Sequence, residues 1–466
     1  MSDNLSKEFS NDFDKKNGFD SWLNDLYENI KYGKFRIAIY GLGHVGAPIA
    51  SAWLRSGASI IGVDKSDYVR KNALKGFTHL PEPGVSESFS KGLALNKFLV
   101  YDDPIQASKD SSIKMICVPV LVDNNNVADL SIVKDVSISI ARGLKKNDVV
   151  SLNPSVPPGT TEEEIIPLIE KESGLKVEKD FFMIYNPERI YEGRAIDDIE
   201  NRYPGIISGA GQYSLKIGSK IFSLIYKKGI IKLDSIKSAE TEKLFEGVYR
   251  DVNIALANEL SIFCENLGID FWQIRDAANS QPFCHIHKPG IGVGGACIPI
   301  YPQFILQVAR KNNLNCQLTS KGRLINNSMP SYCVNQALKL VNNKKIDSLV
   351  ITVLGLAFRG NVSDARLSPC YDVIGALNNL NVKKINVHDP LINSDNYLSK
   401  FNNVTLTSDI EKSIQNSDLI IIVTDHKEYK KLTKKELGHI PVYDGRFILE
   451  QSNFVDISTI GIGKKL

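Results

Sequence analysis

Cys297 closes a run of small residues, Gly292-Val293-Gly294-Gly295-Ala296-Cys297-Ile298-Pro299, and sulfur in that setting can do chemistry. Glycines free the backbone to turn with φ > 0 and let a large substrate come close to the main chain. A thiol at the end of such a loop, with Pro299 stiffening the exit, is a candidate covalent nucleophile. The competing reading is a small core residue in a tight turn, since free cysteines are usually buried. The rest of the chain has to decide between them.

A second stretch is built to bind. Phe35-Arg36-Ile37-Ala38-Ile39-Tyr40 reads as a buried strand, Gly41-Leu42-Gly43-His44-Val45-Gly46 follows, and residues 47–55 read as a helix. Ile60-Ile61-Gly62-Val63 is then a strand that ends at Asp64. Strand, glycine turn, helix, strand and acid in that order make the dinucleotide fingerprint. Gly41 makes the turn, Gly43 lets a pyrophosphate reach the helix N-terminus, and Gly46 lets helix and strand pack closely. Asp64 accepts the adenosine ribose hydroxyls and repels a 2′-phosphate, so NAD is expected over NADP, although Lys65 stands beside it. Two Pro-rich turns after later strands, at Cys117-Val118-Pro119 and Asn153-Pro154-Ser155, fall where ligands of a doubly wound sheet collect. Val118, Pro119 and Ser155 therefore join Leu42, His44 and Val45 as cofactor-side candidates.

The elements that must position these groups follow from hydrophobic periodicity. A polar lead and an amphipathic helix with Phe19, Trp22, Leu23, Leu26, Tyr27 and Ile30 on one face occupy residues 1–33 and are expected to pack on the next domain. Strands and helices alternate over 34–235, with strands expected at residues 112–118, 148–152 and 177–184. Residues 238–267 contain no proline and one internal glycine, Gly247, which predicts a long central helix stopped by Gly268. A central segment carrying the cysteine loop is expected over 236–330. After Asn327-Ser328-Met329-Pro330 the alternation resumes, so 331–466 reads as a second α/β domain, with strands at 349–354, 384–387 and 419–423 and a helix at 369–380. Its first turn lacks the full glycine fingerprint and the later acid, which argues for a ligand other than NAD. The fold class is α/β, two Rossmann-like doubly wound domains joined by a long central helix.

Composition excludes several functions. The chain has 466 residues, 43% of them hydrophobic, and a net charge of +3, too small to suggest nucleic acid or an acidic membrane surface as partner. No apolar run approaches the roughly 18 residues of a membrane span. Seven cysteines without a C-x-x-C pair point to reduced thiols and a cytoplasmic location. The one close histidine pair, His285 and His287, has no carboxylate at ligand spacing, so no metal is expected.

With these pieces placed, the chain resembles the UDP-glucose/GDP-mannose dehydrogenase family, the nucleotide-sugar 6-dehydrogenases. The matches run in order from about Ile37 to Arg446: the fingerprint with Asp64, Glu82-Pro83-Gly84, Val156-Pro157-Pro158-Gly159-Thr160 and Asn186-Pro187-Glu188-Arg189. They continue through Ala239-Glu240 before Lys243, the loop to Cys297, Gly355-Leu356-Ala357-Phe358 and Asp364-Ala365-Arg366-Leu367-Ser368-Pro369. Arg250-Asp251-Val252-Asn253-Ile254-Ala255 with Ala257-Asn258-Glu259-Leu260 looks most like the UDP-N-acetyl-D-mannosamine dehydrogenase branch.

The resemblance implies oxidation of a UDP-sugar C6 alcohol to the acid with two NAD+. Cys297 would trap the aldehyde as a thiohemiacetal that becomes a thioester. Lys243 would stabilise developing oxyanion charge. Glu188 would serve the water step as general base, and Glu192 matches a second acid found in part of the family. If residues 188–192 form one helical turn, both carboxylates share a face and one pKa rises. Ser155 keeps a hydroxyl where the family has Glu-Ser-Thr. In the second α/β domain the resemblance implies UDP binding, with Phe358, Arg359 and Arg366 at the diphosphate, and Arg189, Lys243 and Gly294 along the sugar. Lys288 and Tyr301 are weaker candidates for the same cleft. A homodimer through the long helix is also implied.

Four departures fall on the expected site. Gly247 stands where the family has Asn, Tyr301 where it has Asp, Ala296 where a related branch has His, and Phe283 where it has Arg. They leave open a catalytically altered sugar-nucleotide-binding homologue with little turnover. A two-electron 3-hydroxyacid dehydrogenase shares the NAD domain and a lysine helix, but lacks the cysteine loop and the second nucleotide domain.

Overall fold

Apolar strands separated by helices assemble two sheets, and the strand order of each fixes where a ligand can sit. The computed structural model describes residues 16–123, 125–450 and 459–464. The chain divides into two compact units between Leu244 and Phe245.

In the first unit β1 (Arg36–Tyr40), β2 (Ser59–Val63), β3 (Phe98–Tyr101) and β4 (Ile113–Ile116) come first in the chain. β5 (Leu121–Val122) and β6 (Ala128–Asp129) form a separate antiparallel pair. β7 (Val149–Leu152), β8 (Phe182–Tyr185), β9 (Gly205–Gly209) and β10 (Ile230–Lys232) complete the main sheet, in the order β3-β2-β1-β4-β7-β8-β9-β10. Its pairs are parallel except β8 with β9. Helices cover the sheet, so strands such as β2 and β4 are buried at every residue. Chain order reverses between β1 and β4, which makes the crevice at their carboxyl ends the binding position.

The N-terminal helix, Lys16–Lys31, buries Phe19, Leu23, Leu26 and Ile30 in this unit's core. Phe19 packs on Tyr213 at 4.7 Å and Trp22 on Phe182 at 5.5 Å between ring centroids, as its amphipathic pattern predicts. The polar lead, residues 1–15, lies outside the described residues. The strand expected at residues 177–184 starts later, at Phe182. Val177 makes an isolated bridge to Phe181, and Glu178 turns at φ 63°. The intervening Lys179 and Asp180 form a turn in which the Asp180 N–H bonds back to the Lys176 carbonyl.

The long helix runs from Ile236 to Leu267 and ends at Gly268 with φ 72°. In the second unit β11 (Val350–Leu354), β12 (Lys384–His388), β13 (Val404–Thr407), β14 (Leu419–Ile422), β15 (Val442–Asp444) and β16 (Thr459–Gly461) form one sheet. The order is β13-β12-β11-β14-β15-β16, all parallel, which is doubly wound with its reversal between β11 and β14. The sequence suggests a break at Pro330; instead the helix Gln317–Leu338 runs through it. Buried polar contacts tie this helix to the long one. Arg323 pairs with Asp251, the Asn326 amide donates to the Asp251 carbonyl at 2.9 Å, and the Asn258 amide donates to Asn326 at 2.9 Å. A helical proline forfeits one backbone hydrogen bond, and these contacts hold the turns that precede it. Among the described residues no helix is long and apolar enough to cross a membrane.

Candidate active site

At the β1/β4 crevice the three fingerprint glycines differ in what packs against them. Gly41 turns at φ 95°, and a Cβ there would lie 3.1 Å from the Cys117 carbonyl oxygen. A Cβ on Gly46 would overlap the Gly41 carbonyl, whereas one on Gly43 would meet nothing within 4 Å. Backbone is thus packed at the first and third glycines and open at the second, which fits a pyrophosphate at the helix that starts at Gly46. Asp64 follows β2 and accepts the Leu42 N–H at 2.9 Å and the Ser66 N–H at 2.8 Å. A carboxylate has about four acceptor positions, so it can hold the glycine turn and still receive ribose hydroxyls. Val118 is half-buried and Pro119 exposed in the turn after β4. These residues suit NAD.

The next two strand ends carry the acid. Glu188 follows β8, accepting the Tyr226 hydroxyl at 3.1 Å and the Arg189 N–H at 3.1 Å. Burial of its carboxyl pushes the pKa up to about 7, against the Arg189 N–H, Tyr226 and the nearby charges of Lys243 and Arg189. Lys243 is itself buried, at 6% exposure. Glu188 and Lys243 are therefore brought together. One helical turn before Lys243, the buried Glu240 accepts the Gly159 and Thr161 N–H groups at 2.5 and 2.9 Å and the Thr161 hydroxyl at 2.6 Å. That bond set pins the Pro-rich turn holding Ser155, half-buried here, to the start of the long helix.

The helical turn imagined for Glu188 and Glu192 does not form. Residues 187–194 run as an irregular loop tied down by Glu82, which accepts the Gly193 and Ala195 N–H groups at 2.7 Å each. Glu192 lies 3.5 Å from His44 of the glycine turn, and the raised pKa of Glu188 comes first from burial. Arg189 donates to the Pro204 carbonyl at 2.5 Å and lies over the Tyr203 ring. Sequence reasoning missed Tyr226 and Asn153. Tyr226 bonds Glu188, and Asn153 donates to the Asn186 carbonyl at 3.0 Å, holding the strand end before Glu188. Tyr226 lies 38 residues from its partner, four residues past the helix Gln212–Phe222, and its sequence signal is that of core.

In the second unit Cys297 is exposed, whereas Cys117, Cys264, Cys333 and Cys370 are buried and Cys284 and Cys316 intermediate. Its carbonyl accepts the Ile300 and Tyr301 N–H groups at 3.1 and 3.0 Å, which turns the loop into the helix Tyr301–Lys311. The glycines before it are packed closely by other turns of the same unit. A Cβ on Gly295, where φ is 91°, would lie 2.8 Å from the Phe358 ring. One on Gly294 would lie 2.5 Å from the Leu367 carbonyl, and the Gly295 N–H donates to the Arg366 carbonyl at 3.0 Å. The protein's own turns thus come close to both glycines. Farther along, a Cβ on Gly247 would lie 3.0 Å from the Tyr301 Cβ and closer still to its ring. That contact explains a glycine inside a helix, where it costs about 1 kcal/mol relative to alanine.

The β11/β14 crevice has the acid that the sequence seemed to lack. Asp389 follows β12 as Asp64 follows β2, and it accepts the Leu356 and Ala357 N–H groups at 2.9 and 2.8 Å. Its other oxygen takes the Leu391 and Ile392 N–H groups, while His426 donates at 3.2 Å to the oxygen shared by Leu356 and Ala357. Fully buried, it serves the loop alone. Phe358 and Arg359 are half-buried at the turn it supports. Arg366 is exposed and pairs side-on with Asp364, its Nε 2.9 Å from Oδ2. Arg446, not nominated from sequence, reaches the same strand ends and donates from Nε to the Val423 carbonyl at 2.6 Å.

Three family models match the chain in order. The UDP-glucose/GDP-mannose dehydrogenase NAD binding domain covers residues 35–227, the central domain 237–328 and the UDP binding domain 352–451. A UDP-N-acetyl-D-mannosamine dehydrogenase of Pyrococcus horikoshii is 32% identical, covering 89% of this chain and 96% of its own. A UDP-N-acetyl-D-glucosamine 6-dehydrogenase of Pseudomonas aeruginosa is 30% identical over 89% of this chain and 97% of its own. A solved UDP-D-ManNAc dehydrogenase from Pyrococcus horikoshii superposes with a TM-score of 0.84 at 31% identity, covering 92% of this chain and 99% of that one.

Proposed function

The chain belongs to the UDP-glucose/GDP-mannose dehydrogenase family, and on that premise we propose a four-electron oxidation of a UDP-N-acetylhexosamine to its uronic acid through Cys297. It is an NAD-dependent oxidoreductase. UDP-ManNAc and UDP-GlcNAc are the preferred candidates, because the relatives named for those sugars align along nearly their whole length. The single observation that carries the mechanism is the exposure of Cys297 among seven unpaired thiols.

NAD supplies hydride acceptance, twice per sugar. The protein does the rest. Lys243 faces the C6 oxygen and offsets its charge as the hydroxyl proton passes to water and the first C–H bond breaks. The Cys297 sulfur then adds to the aldehyde carbon as its proton goes to the C6 oxygen, and the second hydride departs from that thiohemiacetal while the hydroxyl proton passes to water, leaving a thioester. Glu188, ionised, takes a proton from water as its oxygen attacks the thioester carbon, and the thiol leaves. Ser155 and Glu192 assist from the cofactor side, Glu192 through His44. Gly294, Arg189, Phe358, Arg359 and Arg366 hold the sugar nucleotide. In this reading residues 34–235 bind NAD, 236–330 carry the nucleophile and 331–466 bind UDP. The unpaired thiols and the two soluble metabolites support a cytoplasmic enzyme, and an apolar stripe on the long helix supports a homodimer.

The test counts NADH formed per sugar consumed with purified protein, NAD+ and a panel of UDP-sugars. Two NADH and a uronic acid are expected from an N-acetylhexosamine. Cys297→Ala should abolish the acid product. Gly247 and Tyr301 favour a second reading, binding with little turnover, which the same assay would report as bound sugar without NADH.

A further inference from the structure

We infer that Tyr301 is a positioning residue for Cys297, wedged by its ring against Gly247 so that the cysteine turn sits at a fixed height over the long helix. Two independent contacts converge on it. Its N–H donates to the Cys297 carbonyl at 3.0 Å, so the turn that displays the thiol is closed by Tyr301 itself. Its side chain, 6% exposed, lies where any side chain at position 247 would have to go, with Tyr301 Cβ 3.0 Å from an ideal Cβ there. Position 247 is in the interior of the 32-residue helix, and Gly247 is followed by no bend that would otherwise call for glycine. The tyrosine and the glycine are therefore one device.

Gly247 also lies one helical turn beyond Lys243, on the same stripe of that helix. The contact is made by ring and Cβ atoms, so the ring rather than the phenol oxygen does the positioning. This rests on Cys297 being the nucleophile.

The experiment is a double-mutant cycle on the full-length enzyme, reading kcat, KM for the UDP-sugar and the rate of Cys297 alkylation followed by mass spectrometry. Tyr301→Ala is expected to lower kcat by about 10- to 100-fold with KM within about threefold, the range expected when a reacting atom is misplaced by about 1 Å. Tyr301→Phe should restore kcat to within about threefold of the parent, because the ring remains. Gly247→Ala should lower kcat in the parent and cost much less in the Tyr301→Ala background, where the ring is gone and only the Cβ contact at 3.0 Å remains. Alkylation of Cys297 should change rate in step with kcat. Tyr301→Leu, which fills volume without a ring, serves if the alanine variant does not fold, and should show the same loss of kcat. Additive effects of the two substitutions, or an unchanged kcat in Tyr301→Ala, would overturn the inference. If Tyr301→Phe behaves like Tyr301→Ala, the hydroxyl is the acting group and the inference also fails. Loss of acid product in Cys297→Ala is read separately, so failure of the nucleophile and failure of the wedge are told apart.

Discussion

Glu188 is a carboxylate whose surroundings oppose its charge. Its pKa stands near 7 because burial outweighs the help of the Arg189 N–H, Tyr226 and Lys243. The group must be ionised to accept a proton from water, so turnover should rise with pH through a limb centred near 7. Glu188→Gln should remove that limb and lower kcat by about 10²- to 10⁴-fold, the usual worth of a positioned base, as a pH–rate profile would show. The stability consequence has the opposite direction. A raised carboxyl pKa means the folded state holds its proton more tightly than the unfolded chain does. Stability from this group is therefore complete below about 4.5 and is lost as pH rises through about 7. Activity and stability pull apart on this one residue, and Glu188→Gln should flatten both curves. In the sequence Cys297 is flagged by its glycine run, and Glu188 and Lys243 by the family resemblance of the motifs that hold them. Tyr226 has no such flag, since its role comes from a fold contact across 38 residues.

At the scale of elements, the loop before Cys297 and the turn after β11 form one packed body in the second unit. Gly295 rests on the Phe358 ring and holds the Arg366 carbonyl, and Asp389 ties the same turn from below through Leu356 and Ala357. Gly295→Ala adds a methyl group 2.8 Å from that ring at a φ of 91°. It should cost about 1–3 kcal/mol by thermal or urea unfolding and raise the KM for the UDP-sugar, because Phe358 must move. Burial raises the Asp389 pKa, but the His426 hydrogen bond and the amides of Ala357 and Leu391 outweigh it and hold it below the usual aspartate value. Its contribution is thus present above about pH 4 and fades on acidification. Strands, helices and both glycine turns are legible in the sequence because their patterns are local. The purpose of Gly294 and Gly295 is not, because what lies against them is more than sixty residues away in the chain. Glu188 and Glu192 show the same limit: a spacing of four implies a shared face only in a helix, and Glu82 holds that segment as a loop.

For the molecule as a whole, the long helix leaves Phe245, Tyr249, Leu256, Phe263 and Leu267 exposed, each by 44–59%. Steps of four and seven residues align them as a stripe, and a stripe of that length in water calls for a partner surface. A second copy of the chain presents the same stripe and can pair with it about a twofold axis. Light scattering on the purified protein should therefore give twice the 51.7 kDa chain mass, and Leu256→Glu with Phe263→Glu should give the monomer. Both sheets and their reversals can be anticipated from alternation and turn residues, whereas the acid of the second crevice is disguised by its His-Asp-Pro context. Asp64 and Asp389 do the same architectural job, yet only Asp64 stays accessible. Redesigning the second crevice to take a dinucleotide would thus need more than added glycines. Its acid is sealed by four amides and an imidazole, and an engineer would first have to give those five donors somewhere else to go.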